Sequence, residues 1–133
     1  MNVIITLDNR NGMLFNGRRL SRDRVLNERI LARAGGKLFL NAYSAGLFAG
    51  SDADLTVCED FSARAGQGDF CFVEAPPLAP YESSIETLTV YRWNRDYPSD
   101  CTLDLSLDRW KLISVNEFPG SSHDTIREEV YRK

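Results

Sequence analysis

Asn2-Val-Ile-Ile-Thr-Leu7 is an apolar, β-branched run halted by Asp8-Asn-Arg-Asn-Gly12. The segment Gly12-Met-Leu-Phe-Asn-Gly-Arg-Arg-Leu-Ser-Arg-Asp23 then leads to Val25, Leu26, Ile30, Leu31 and Ala34. The first run suits a buried strand, and Asn, Asp and Gly supply the turn that ends it. The later apolar positions share one helical face until Gly35-Gly36 stops them. This predicts an amphipathic helix of about fourteen residues, capped by Ser21 and reached through a loop from Met13 to Leu20.

Further on, Lys37–Asn41 reads as a second buried strand, and Tyr43–Phe48 as a short helix or turn that Ser44 could cap. Asp54–Val57 is a weak strand candidate and Glu59–Ala65 a short helix; Asp69–Glu74 is a strong strand. The prolines of Ala75–Pro80 exclude regular structure there, since they remove backbone donors. Glu86–Trp93 alternates with period two, and Trp110–Phe118 is a further strand candidate. His123–Lys133 fits two patterns, a helix opened by Ser121 and Asp124 or a strand with Ile126, Glu128 and Val130 in alternation. The order predicts one domain over residues 1–133, of α/β (mixed α+β) class, with a single mixed sheet and two to four flanking helices.

With 133 residues, 43% apolar and 26% charged, the chain has ordinary globular usage and length for a core of its own. Cys58, Cys71 and Cys101 lack any C-x-x-C spacing and read as reduced thiols of a cytoplasmic protein. The N-terminal run turns polar after Leu7, too early for a signal peptide, and no stretch has the apolar length of a membrane span. Net charge is −3, unevenly placed: residues 1–37 carry eight basic groups against three acids, a surplus of +5, so the remainder carries −8. An acidic body of this kind would repel long nucleic acid, whereas a local anion site fits the basic end. Solvated arginines on a helix face are the bland alternative.

The segment Gly12–Asp23 is the richest in candidate chemistry. Loops after strands concentrate ligand sites, and a helix start offers free N–H groups to an anion. Asn16, Gly17, Arg18, Arg19, Ser21, Arg22 and Asp23 are therefore the expected ligand-binding residues, with the arginines forking onto phosphate or stacking on a base. Trp93, Asn94 and Arg95, within Tyr91–Tyr97, form a second candidate; Trp93 and Tyr97 could equally close the core. His123 is the only histidine, which excludes a two-histidine metal site, and no metal or cofactor is expected. Ser121, Ser122, His123 and Asp124 match triad members by type, but sequence neighbours rarely face one another as a triad does, and a cap beside a surface histidine is the simpler reading.

In order, the segments resemble the dihydrofolate reductase family. Gly12-Met13, Asn16 and Leu20-Ser-Arg-Asp23 fall where that family has its Gly-Met turn, Asn and L-P-x-D motif. Leu40–Ser44 falls at its M-G-R-x-T, Phe72–Tyr81 at its I-G-G-x-x-x-Y, and Trp110–Phe118 at its penultimate strand. The resemblance implies that topology and makes Asp23 the match for the substrate-binding acid. The family's cofactor-binding Arg is Ala42 here, and its Gly-Gly is Ala75-Pro76 or Pro76-Pro77, which implies that NADPH is not bound in the family's manner. The chain also resembles short bacterial and prophage-type chains with motifs seen here as Met13–Arg24, Trp93–Pro98 and Gly120–His123. Some of these carry a ribonuclease Z label, yet this chain lacks the metal ligands that chemistry needs.

These readings favour non-catalytic binding or sequestration of a small nucleotide-like anion. By analogy this suggests a phage-type sponge for cyclic-nucleotide or ADP-ribose-derived immune signals. The alternatives are an NADPH-dependent reductase-like enzyme using Asp23 as acid in a cleft that raises its pKa, and a protein-interaction module docking through the acidic half. No membrane partner is expected, and a homodimer or higher homo-oligomer is the default.

Overall fold

The computed structural model describes all 133 residues. Its strands are β1 (Asn2–Leu7), β2 (Gly12–Phe15), β3 (Arg18–Arg19), β4 (Lys37–Leu40), β5 (Asp54–Val57), β6 (Phe70–Phe72), β7 (Thr87–Arg92), β8 (Cys101–Thr102), β9 (Lys111–Phe118) and β10 (Ile126–Arg132). Its α-helices are α1 (Arg24–Arg33), α2 (Ala42–Ala45) and α3 (Phe61–Arg64), and three short 3-10 turns complete it. Seven strands form one mixed sheet in the order β5-β4-β6-β1-β7-β10-β9; a small second sheet runs β3-β2-β8. No helix is long and apolar enough to cross a membrane.

β1 lies at the centre of the large sheet, parallel to β6 on one side and β7 on the other. Val3, Ile4, Ile5 and Leu7 are fully buried, as a strand covered on both faces requires. One face packs Ile4, Leu40, Phe72 and Tyr91 against Leu26 and Ile30 of α1 and its C-cap Ala34. The other packs Val3, Ile5, Leu7 and Leu88 against Leu78, Ile85 and Trp110. The two residues that end α1, Gly35 and Gly36, have φ of 67° and 84°, backbone that glycine adopts without a Cβ clash.

Several expectations are corrected. Residues 13–20 are a β-hairpin, not a loop: Phe15 pairs with Arg18 across Asn16 and Gly17, whose φ values of 51° and 72° make a two-residue turn. Asn-Gly is the dipeptide such a turn favours. α1 has ten residues, and its cap is Asp23, not Ser21; the carboxylate accepts from the backbone N–H of Val25 and Leu26. Asn41, not Ser44, caps α2. Of the two patterns left open for residues 123–133, the strand is the one formed, as β10, paired antiparallel with both β7 and β9.

Candidate functional site

A cleft of about 620 Å³ opens between the β2–β3 hairpin and the segment Tyr97–Pro98, lined by Phe15, Asn16, Arg18, Arg19, Leu20, Tyr97 and Pro98. Its walls are held from below. The buried Asp8 carboxylate accepts from the backbone N–H of Gly12 at 2.7 Å, Arg10 at 2.9 Å and Tyr97 at 3.1 Å, tying both walls to the end of β1. Burial pulls the Asp8 pKa up, but these three donors outweigh it and hold the carboxyl below its usual value. The Asn16 N–H donates to Asp100 at 3.0 Å, closing the tip of the hairpin. On this frame Phe15 stands 43% exposed. The exposed guanidinium of Arg18 has no ion pair or hydrogen bond within the chain.

Arg19 is a strut. It forks onto the buried Glu74, with Nε to Oε2 at 2.8 Å and Nη2 to Oε1 at 3.0 Å, and lies 4.2 Å from the centre of the Tyr43 ring. Ser44 donates to the same carboxylate at 2.7 Å. Hairpin, α2 and the end of β6 are thereby locked together, and most of the donors of Arg19 are spent.

Asp23 sits in a denser knot. Besides its two cap contacts it accepts from Ser121 N–H at 3.0 Å, Ser122 N–H at 2.8 Å and the Ser121 hydroxyl at 3.1 Å, and His123 Nδ1 lies 2.9 Å from Oδ2. Burial raises the pKa of this side chain, but the N–H of Ser121, the imidazole of His123 and the N–H groups of Ser122 and Leu26 overcome that and lower it far below the aspartate range. The expectation of a raised pKa is overturned. A carboxylate with its lone pairs filled and its side chain 0% exposed neither protonates near neutral pH nor touches a ligand. His123 is itself buried, with Nε2 at 3.0 Å from the Ser21 hydroxyl and 3.1 Å from that of Tyr97.

The second candidate stretch divides. Trp93 is only 4% exposed and lies over the His123 ring at 4.6 Å between centroids, so it is a packing residue with no free face for a base. Asn94, at φ 59°, donates to Thr125 O at 2.9 Å and forms a turn. Arg95 is exposed, outside the residues that line the cleft. Tyr97, two residues further on, forms the cleft wall. Arg22 borders a slot of only about 10 Å³ between β1 and α1, with Thr6, Asn27, Glu74 and Trp93. Of the ten expected residues, Asn16, Arg18 and Arg19 line the cleft; Gly17 turns its hairpin; Ser21, Asp23 and Trp93 belong to the knot.

The stretch Ala75-Pro76-Pro77 borders a separate groove of about 230 Å³ with Asn41, Glu59, Glu74 and Tyr81. Here Glu59 accepts from Ala42 N–H at 3.0 Å and Asn41 from Ser44 N–H at 2.8 Å, so the chain's own side chains occupy the first donors of α2. Two carboxylates and two prolines without N–H make poor company for a pyrophosphate.

No family model matches the chain, and no curated protein matches it in sequence. Among solved structures, dihydrofolate reductase from Enterococcus faecalis, complexed with NADP(H) and RAB-propyl, superposes with a TM-score of 0.67 at 8% identity, over 99% of this chain and 95% of that one. The fold is dihydrofolate reductase-like. At that identity the likeness speaks for topology, and it covers the whole chain from β1 to β10.

Proposed function

We propose that this chain binds a small, nucleotide-like anion in the cleft between the β2–β3 hairpin and Tyr97, and holds it without converting it. The observation that carries the reading is Arg18, a free cation on the wall of a cleft that also presents the exposed ring of Phe15. A volume of about 620 Å³ suits a nucleotide-sized ligand. One charge-assisted contact from Arg18 contributes roughly 1.5–3 kcal/mol, and stacking on an aromatic ring about 1–3 kcal/mol more. The dihydrofolate reductase-like fold supports a small-molecule ligand, while the saturated Asp23 and the proline-lined groove count against the reductase chemistry. Sequestration of a cyclic-nucleotide or ADP-ribose-derived signal, as by a phage-type sponge, is the form of binding this reading takes.

Native mass spectrometry with cyclic nucleotides, ADP-ribose derivatives and NADPH tests it and reads the oligomeric state together. The expected result is an adduct whose ligand is recovered intact and which is lost in Arg18→Ala. Conversion of the ligand, or an NADPH adduct indifferent to Arg18, overturns the reading.

A further inference from the structure

The fold brings Ser21, His123 and Asp23 into one line across about 100 residues of sequence: Oγ to Nε2 at 3.0 Å, and Nδ1 to Oδ2 at 2.9 Å. We propose that Ser21 is a nucleophile for acyl transfer, with His123 as its base and Asp23 as the group that orients the base. This goes beyond the binding reading, and the two share only Tyr97, which walls the cleft and whose hydroxyl faces His123.

Three observations carry the assignment. Asp23 is fully buried and accepts at Oδ2 from Nδ1 of His123, so the proton on that side of the ring is held at Nδ1 and the edge facing the Ser21 hydroxyl is Nε2, the atom a base must present to it. The ring is fixed in that orientation by Trp93, stacked at 4.6 Å. Finally, the backbone N–H groups of Leu20, Ser21, Arg22 and Asp23 donate to no acceptor within the chain, which leaves free donors on either side of the Ser21 hydroxyl. Free N–H groups beside a nucleophile are what a developing oxyanion needs.

The step is that of an ester. Ser21 Oγ attacks the carbonyl carbon while Nε2 of His123 takes the hydroxyl proton, and the carbonyl electron pair moves to oxygen. The tetrahedral species collapses, the bond to the alcohol breaks, and the alcohol leaves with the proton from His123. Water attacks the acyl-Ser21 in the same way, releasing the carboxylic acid and restoring the hydroxyl. Nε2 has one lone pair and two suitors, because the Tyr97 hydroxyl lies 3.1 Å away. Tyr97 therefore restrains Ser21 in the resting protein.

A fluorophosphonate probe reads the assignment directly, since Ser21 Oγ would form an O–P bond with loss of fluoride. The full chain is treated with the probe and the labelled site is located by peptide mass. The expected result is one label per chain on Ser21, absent in Ser21→Ala, and formed several-fold faster in Tyr97→Phe, which leaves Nε2 to the serine alone. Ser21→Ala removes one half-exposed oxygen and keeps the fold, and its unchanged circular dichroism guards that arm. No label, a label that survives Ser21→Ala, a rate at Ser21 no higher than at the exposed Ser51 and Ser83, or no acceleration in Tyr97→Phe overturns it. Anion binding in the Arg18 cleft is untouched by Ser21→Ala if the two proposals are independent, so their failures are distinguishable.

Discussion

Arg18 and Asp23 lie five residues apart in one polar segment and are opposite in every physical respect. The Asp23 carboxylate is buried and filled by donors from α1 and from residues 121–123. The Arg18 guanidinium is exposed and unclaimed. A polar group whose partners lie within the chain contributes to stability and is unavailable to a ligand; one without partners contributes little and is available. In this fold the strand-to-helix segment has been tied down at its helical end and left open at its hairpin end.

The largest effect expected on that contrast is from Asp23→Ala, which strips the cap of α1 and strands His123 and the N–H groups of Ser121 and Ser122. Its urea midpoint should fall by the equivalent of about 3–5 kcal/mol. Gly120→Ala probes the same knot sterically, because a Cβ there would collide with the Asp23 carboxylate and stand 3.0 Å from Ile126 Cδ1. A loss of about 1–3 kcal/mol in the same denaturation assay is expected.

Acid titration sharpens the comparison. Asp23, Asp8 and Glu129 all have folded pKa values below their ordinary ones, so their contribution is present above the unfolded carboxylate range and is lost as pH falls through the folded values. Thermal midpoints should decline progressively below about pH 4, and the decline should shrink in Asp23→Ala. Smallest in stability is Arg18→Ala, within about 0.5 kcal/mol of the parent, while the ligand affinity read by calorimetry drops roughly ten- to hundred-fold. An Arg18→Ala protein as unstable as Asp23→Ala would erase the distinction.

Much of the fold was legible in the sequence. The β-branched run at 2–7, the alternation at 87–93 and the helical spacing from Val25 to Ala34 each report burial directly. The β2–β3 hairpin is written only in its turn dipeptide, Asn16-Gly17, because strands of four and two residues are too short to carry a readable alternation. Ser21 and Asp23 are both good caps by residue type, and only the approach of residues 121–123 decides for Asp23. At the candidate site, Arg18 and Asn16 could be read from local charge and turn chemistry. The cleft also depends on Tyr97, brought in by a hydrogen bond to Asp8 across 89 residues, and no local pattern encodes that distance. The Ser21–His123–Asp23 line spans a similar gap, and the weaker triad of neighbours at 121–124 obscured it.

The most direct test of the account is a titration of ¹⁵N-labelled protein with ADP-ribose and a cyclic dinucleotide, followed by amide chemical shifts. The account predicts shifts confined to Phe15–Leu20 and Tyr97, abolished by Arg18→Ala. Shifts centred on Thr6, Leu26, Asn27 and Trp93, around the narrow slot between β1 and α1, would contradict it.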